Sequence, residues 1–75
     1  MKLGDYQRMA EKNRMLYPVG TIVELISMDD CNAVPEGTRG VVALVDDVGT
    51  VHVDWDNGQK LGVCTEVDVI RKVAI

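Results

Sequence analysis

His52 is the only histidine of the chain, and it is the first residue to consider for catalysis because imidazole is a common general acid or base. Catalysis would also require a nucleophile or a second base within hydrogen-bond reach. Strand alternation predicts that Thr50 and Asp54 share its face, whereas Ser27 has no predictable relation to it. We therefore expect an exposed strand histidine beside an acid, with a pH-sensing contact as the alternative, and we predict no catalytic residue.

Several aspartates stand in or near predicted turns, which raises the question of a metal site. Calcium loops place oxygen ligands at alternating positions and close with a bidentate glutamate. No pair in this chain has that spacing, and adjacent aspartates of a strand point to opposite faces. We expect these carboxylates to cap turns, and we predict no metal and no cofactor. The aspartates concerned are Asp29, Asp30, Asp46, Asp47, Asp54 and Asp56.

Trp55 is the only tryptophan, and it stands just before Asn57-Gly58. This dipeptide is the strongest short-range hairpin signal, because a type I′ turn needs positive φ at both central residues. A tryptophan at a hairpin tip has two interpretations. It closes the end of a core, or it forms an aromatic shelf with Tyr17 and the loop 29–36 that grips an extended peptide.

Arg39 follows a predicted turn and is the second candidate for a binding role. It either neutralises Asp29 or Asp30, or it holds an anionic ligand. The complete set of predicted partner-binding residues is Trp55, Tyr17, Asp29, Asp30, Arg39, Asp56 and Asn57.

Length and composition favour binding over catalysis. The chain has 75 residues, which we interpret as one domain over 1–75, and it is 47% hydrophobic without a phenylalanine. A core of this size supplies only about 3–5 kcal/mol of stability, so a deep catalytic cleft would cost much of it. We therefore predict that the protein is not an enzyme.

The charge is divided unevenly along the chain. Residues 1–16 carry four basic and two acidic side chains, whereas residues 17–75 carry four basic and ten acidic ones. An acidic domain repels phosphate backbones, so we do not expect direct nucleic-acid binding. The acidic surface either keeps the protein soluble or meets a basic partner.

The first predicted element is an amphipathic helix over 1–17. Asp5 is the predicted N-cap, and Pro18 with Gly20 ends the helix after Leu16. The helix either covers the open end of a barrel or contacts a partner or a second copy, and its outer basic residues would suit an acidic neighbour. The mostly apolar face holds Tyr6, Met9, Ala10, Asn13 and Leu16.

The remaining residues, 18–75, predict five short strands. A long loop follows the first strand and a single helical turn over 65–68 precedes the last. This pattern predicts a mostly β fold, a small SH3-like five-stranded barrel with an N-terminal α-helix. The predicted strands are 21–28, 40–45, 50–55, 59–64 and 69–73.

Motifs along nearly the whole chain resemble a family of small proteins that is catalogued as a domain of unknown function. The motifs are Tyr17-Pro18-x-Gly20-Thr21-x-Val23-Glu24-Leu25, Met28-Asp29-Asp30, Pro35-x-Gly37-Thr38-Arg39-Gly40-x-Val42, Val45-Asp46-Asp47-x-Gly49, His52-Val53-x-Trp55-Asp56-Asn57-Gly58 and Val67-Asp68-x-x-Arg71-Lys72. The resemblance implies Gram-positive bacteria, their phages and conjugative elements as the setting, and it brings no known activity. The chain departs at Cys31-Asn32, where the family tends to have Pro-Tyr, and at Gln59-Lys60, where it tends to have Ser-Ser.

Three functions follow as hypotheses. The first is a non-catalytic module that binds a protein partner stoichiometrically, with a host defence component as the partner that the resemblance suggests, as for an anti-defence or anti-CRISPR type inhibitor. The second is a sponge for a nucleotide signal, in which Arg39, Lys60 and the amides of the Gly58 turn hold phosphate. The third is an acidic mimic of nucleic acid that enters a basic groove.

The expected setting is the cytoplasm. Cys31 and Cys64 are too few for a disulfide framework and are not in a C-x-x-C motif, so we expect reduced thiols. We find no apolar run of membrane-spanning length and no start of a signal peptide at Met1–Asp5. A monomer and a homodimer, formed through the helix or a free strand edge, both remain open.

Overall fold

One helix precedes a five-stranded antiparallel sheet, which confirms the predicted fold class. The computed structural model describes residues 3–73; residues 1, 2, 74 and 75 of the predicted segments lie outside this range. Each predicted strand end agrees with the observed end to within one residue. The elements are α1 Leu3–Leu16, β1 Ile22–Ser27, β2 Arg39–Val45, β3 Val51–Trp55, β4 Lys60–Val63 and β5 Val69–Lys72.

The strand order is β4-β3-β2-β1-β5, which places the first and last strands side by side. All four ladders are antiparallel, and those of β1 with β5 and of β2 with β3 each contain one register shift. The shift in β2 falls between Val42 and Leu44. Closure of the sheet into a barrel stays a prediction.

One face of the sheet forms a single hydrophobic core. In β3, Val51, Val53 and Trp55 are buried, whereas His52 is half-buried and Asp54 exposed, as alternation predicts. All five strands contribute to this core, and the loop after β1 adds Val34. The other core members are Val23, Leu25, Val42, Val63 and Ile70.

The β3–β4 hairpin forms where Asn57-Gly58 predicts it, but its turn is not type I′. Gly58 has φ +92°, whereas no residue other than glycine within 3–73 has positive φ. The Gly58 N–H donates to Trp55 O, and the Trp55 N–H donates to Gln59 O. These bonds define a three-residue loop in which one ordinary turn is followed by a left-handed glycine, so only that glycine needs positive φ.

The helix ends at Leu16 as predicted, but its start and its buried face differ from the prediction. It begins at Leu3, so Asp5 lies in its first turn and is not the N-cap. There its negative charge interacts favourably with the helix dipole, and its Oδ1 lies 2.9 Å from Arg8 Nη2. At the other end Leu16 is exposed, because the buried face is centred on Ala10 and Asn13.

Asn13 fastens the helix to two loops of the sheet. Its side chain is buried, and Nδ2 donates to Gly49 O at 2.8 Å and to Thr65 Oγ1 at 3.1 Å. Gly49 belongs to the β2–β3 turn and Thr65 to the segment before β5. One amide therefore positions α1 against this end of the sheet.

Replacing Asn13 by alanine should destabilise the protein by about 2–3 kcal/mol, because the buried carbonyl of Gly49 and the half-buried hydroxyl of Thr65 lose their donor. Chemical denaturation of Asn13→Ala against the parent chain measures this loss. The matched control is Asn32→Ala at an exposed position, with an expected change within about 0.5 kcal/mol. Equal losses for the two variants would contradict the anchoring role of Asn13.

Replacing Gly49 by alanine should separate helix packing from backbone strain. Gly49 and Gly37 both have positive φ, so alanine costs roughly 1 kcal/mol at either position. At Gly49 the added Cβ would also lie 2.7 Å from Met9 Cγ on the helix, whereas at Gly37 nothing lies within 4 Å. The unfolding free energy should fall further for Gly49→Ala, by about 1–3 kcal/mol more. Similar values would mean that the helix does not press on this turn.

Candidate functional site

Trp55 lies in the core. Its side chain is 3% exposed, and Nε1 donates to Leu61 O at 3.0 Å. The bond satisfies the polar end of the indole, and burial leaves no ring face for a partner. Of the two interpretations of Trp55, the structure therefore places it at the end of the core, and Trp55→Ala would test stability rather than binding.

Tyr17, the second predicted aromatic, lies at a surface groove. It follows the last residue of α1, and its N–H donates to Asn13 O at 2.7 Å. Its ring packs against the edge of the core, and Lys72 Nζ lies 5.7 Å from the ring centroid. At this distance the ammonium is attracted by the ring quadrupole.

The groove lies between the C-terminal end of the helix and the end of β2. It has a volume of about 310 Å³, and it is lined by Arg14, Tyr17, Pro18, Val19, Leu44 and Val45. Val19 is 72% exposed and Leu44 is 48% exposed, so the groove has an aliphatic mouth. We call these six residues the helix–β2 groove.

Local sequence explains the shape of the helix–β2 groove. Pro18 cannot continue the helix, and the chain therefore turns across its end. The register shift in β2 lets Val42 point into the core while Leu44 lies opposite the half-buried His52 on the other face. Leu44 thus reaches the surface beside the turn that exposes Val19.

In the first loop the side chain of Asp30 caps a turn, whereas Asp29 takes part through its backbone N–H. Asp30 Oδ1 accepts from the Asn32 N–H at 2.8 Å, as a turn cap does. The Asp29 N–H donates to Asp68 Oδ1 at 2.8 Å, and Asp68 Oδ2 accepts from the Cys64 N–H at 2.9 Å. Asp68 is buried and joins the first loop to the end of the sheet.

Arg39 is paired within the chain, but its partner is Glu24 rather than Asp29 or Asp30. Arg39 Nε lies 3.4 Å from Glu24 Oε1, and Arg71 Nε lies 2.9 Å from Glu24 Oε2. Cross-strand registers place both arginines opposite Glu24 on one sheet face. The hydrogen bond from Arg71, opposed by burial and aided by Arg39, lowers the pKa of Glu24 from 4.5.

Asn57 and Asp56 are exposed at the tip of the β3–β4 hairpin. Asn57 Oδ1 accepts from the Gln59 N–H at 3.0 Å, and Gln59 Nε2 donates to Asn32 O at 2.9 Å. The hairpin tip therefore touches the loop 29–36, as the shelf hypothesis requires. Tyr17, however, lines the helix–β2 groove, and Trp55 is buried in the core. The predicted binding residues therefore do not form one surface.

His52 pairs with Asp46 and not with Asp54. Nε2 lies 2.9 Å from Asp46 Oδ2, across the β2–β3 turn. Asp46 Oδ1 accepts from the N–H groups of Val48 and Thr50, at 3.1 and 2.9 Å. Burial raises the pKa of Asp46, but the hydrogen bonds from His52, Thr50 and Val48 outweigh it and lower the pKa from 3.8. Sequence spacing could not reveal this pair, because the turn folds back on the strand.

The helix–β2 groove was absent from the predicted site apart from Tyr17. The available signal was the unbroken apolar run of β2, 41–45, because a strand with only one face toward the core cannot bury five consecutive apolar residues. Within 3–73 no group of three or more histidine, cysteine, aspartate or glutamate side chains is placed to hold a metal ion. No helix in the same range is long and apolar enough to span a membrane.

Residues 6–73 match the model of a family described as a domain of unknown function, DUF4314, and the chain belongs to this family. The motifs therefore predicted correctly that the family is one of unknown function. Neither the curated proteins nor the solved structures contain a match.

Replacing Asp46 by asparagine tests the carboxylate that holds the β2–β3 turn. A lowered folded-state pKa means that its contribution is complete above the ordinary value of 3.8 and is lost as the pH falls through the lowered value. Asp46→Asn should lose about 1 kcal/mol at pH 7, since the side chain is 34% exposed and screened by solvent. The difference from the parent should shrink as the pH falls below 3.8, in denaturation series at several pH values. Asp47→Asn, which removes the neighbouring charge, is the control; a difference that does not change with pH would contradict the assignment.

Proposed function

We propose that this chain is a non-catalytic binding module that holds one protein partner, stoichiometrically, at the helix–β2 groove. The observation that supports the proposal is an open aliphatic groove whose walls are held by the core and by the anchored helix. A rigid wall reduces the entropy lost on binding, because the surface is already in its bound shape.

The dimensions suit a protein segment. A volume of about 310 Å³ is at the small end of ligand sites, which enclose most of a small molecule. This groove is open along one side, and Val19 and Leu44 stand at its mouth. It therefore fits one or two aliphatic side chains that project from a partner, which is how peptide-binding surfaces read extended or helical segments.

The only imidazole of the chain has a structural role. His52 is bonded to Asp46, whose other oxygen accepts two turn amides. Cys31 and Cys64 are exposed free thiols, and no nucleophile is held against the imidazole in any contact within 3–73. These contacts support a binding role over an enzymatic one.

The contacts of the proposed nucleotide-binding groups support a protein partner over a nucleotide. The Gly58 N–H donates within its own turn, and Arg39 is paired with Glu24. Lys60 lies opposite Asp54 in the β3–β4 ladder, which reduces the local attraction for phosphate. We therefore keep the protein partner as the proposal. The resemblance to proteins of phages and conjugative elements makes a host defence component the first partner class to test.

Replacing Val19 by aspartate should weaken capture of the partner at least about tenfold, because a charge would enter an aliphatic contact. Val67→Asp is the matched control, since both valines are exposed in turns, at 72% and 56%. Tagged parent and variant chains are compared by quantitative mass spectrometry of proteins captured from host lysate. Light scattering of the purified complex then measures its stoichiometry. A partner retained equally by Val19→Asp and by the parent would refute the groove as its docking site.

A further inference from the structure

We infer that the helix–β2 groove accepts a partner segment in which an aliphatic side chain is flanked by carboxylates. This inference rests on the proposed function and specifies the chemistry of the partner. Its basis is the positive charge near the groove, because Arg14 lines the groove and Lys72 lies over the ring of Tyr17, which also lines it. The chain as a whole carries a net charge of −4, so this positive charge is a local feature.

Arg14 is available to a partner although it has an ion pair. Its Nη2 lies 3.0 Å from Asp47 Oδ1, with the two side chains 47% and 103% exposed. A pair so open to water contributes little, because solvent screens the charges. Exchanging Asp47 for a carboxylate of the partner therefore costs little, and the guanidinium can bind that carboxylate through two parallel N–H groups.

Lys72 supplies the second positive charge. It lies over the Tyr17 ring with Nζ 5.7 Å from the centroid, and within residues 3–73 no carboxylate pairs with it. The ring contact orients an ammonium group without neutralising it. A carboxylate beside Tyr17 would find a positioned cation and an apolar surface together.

Two of the other arginines, Arg39 and Arg71, are paired with a much less exposed carboxylate than Arg14 is. Arg39 and Arg71 share Glu24, a carboxylate whose side chain is only 19% exposed. Arg8 pairs with Asp5 one helical turn away, outside the groove lining. Arg8 therefore offers a control for Arg14, because each is a helix arginine whose guanidinium lies about 3 Å from an aspartate oxygen.

The test uses short blocked peptides that alternate leucine with glutamate, with glutamine or with lysine, titrated into isotopically labelled protein and followed by NMR. The glutamate peptide should shift the amides of 17–19 and 44–45 and should bind about fivefold more tightly than the glutamine peptide, equivalent to about 1 kcal/mol. Arg14→Gln should reduce this ratio to about twofold, whereas Arg8→Gln should leave it unchanged. Asp47→Asn should increase the affinity for the glutamate peptide, since it removes the competing carboxylate. Thermal unfolding of each variant verifies that the fold survives.

The outcomes separate this inference from the proposed function. Equal groove binding of the glutamate and glutamine peptides, or preference for lysine, overturns the acidic partner and leaves the docking site standing. No groove shifts with any peptide contradicts the docking site itself. Groove shifts that grow with protein concentration and without peptide identify a second copy of the chain as the occupant and also overturn the inference.

Discussion

The buried amide of Asn13 is the interaction on which the arrangement of this molecule depends. A helix of 14 residues is marginal in water by itself, so its position must come from tertiary contacts. Asn13 supplies these contacts by donating to Gly49 O and Thr65 Oγ1 on two separate loops. Because Arg14 lies in the last turn of this helix and Tyr17 directly follows it, the amide also determines where one wall of the helix–β2 groove lies.

The β2–β3 turn is held from both sides. Asn13 binds the carbonyl of Gly49, while Asp46 accepts from the amides of Val48 and Thr50 and pairs with His52. Asp46 and His52 are among the side chains that a search for metal ligands or catalytic residues considers first. A chain of 75 residues has a small hydrophobic core, so polar contacts contribute much of what fixes its loops. We therefore interpret His52, in β3, as a side chain that stabilises this turn through Asp46.

Periodic features were predictable from the sequence, and contacts between distant segments were not. Alternation in β3 placed Val51, Val53 and Trp55 on the core face, and the strand boundaries followed from turn residues. The pairing of Arg39 with Glu24 depends on the register between β1 and β2, which no local pattern contains. Asp5 has the residue type of an N-cap, yet the helix starts two residues earlier, since an acid is also favourable in the first turn.

The candidate site was only partly predictable for the same reason. Tyr17 was selected for its ring and its place after the helix. Arg14 and Leu44 are separated by 29 intervening residues and meet only when the helix lies on the end of β2. The apolar run 41–45 indicates that some apolar side chain of β2 must be exposed. The register shift interrupts the alternation by which strand faces are assigned, so the sequence does not show that Leu44 is the exposed residue.

The area of the surface limits how the helix–β2 groove can act. A stable complex covers roughly 800 Å² on each partner, and the accessible surface here is 4794 Å², so such an interface would cover about a sixth of the protein. A groove of six lining residues is too small to supply that area by itself. Under the proposed function, stable capture would require the partner to extend over neighbouring apolar surface. Met15 and Leu16, which are 82% and 39% exposed, lie between the groove residues Arg14 and Tyr17 in sequence. Affinity would then come from the aliphatic contact, while Arg14 and Lys72 would select among segments that fit the groove equally well.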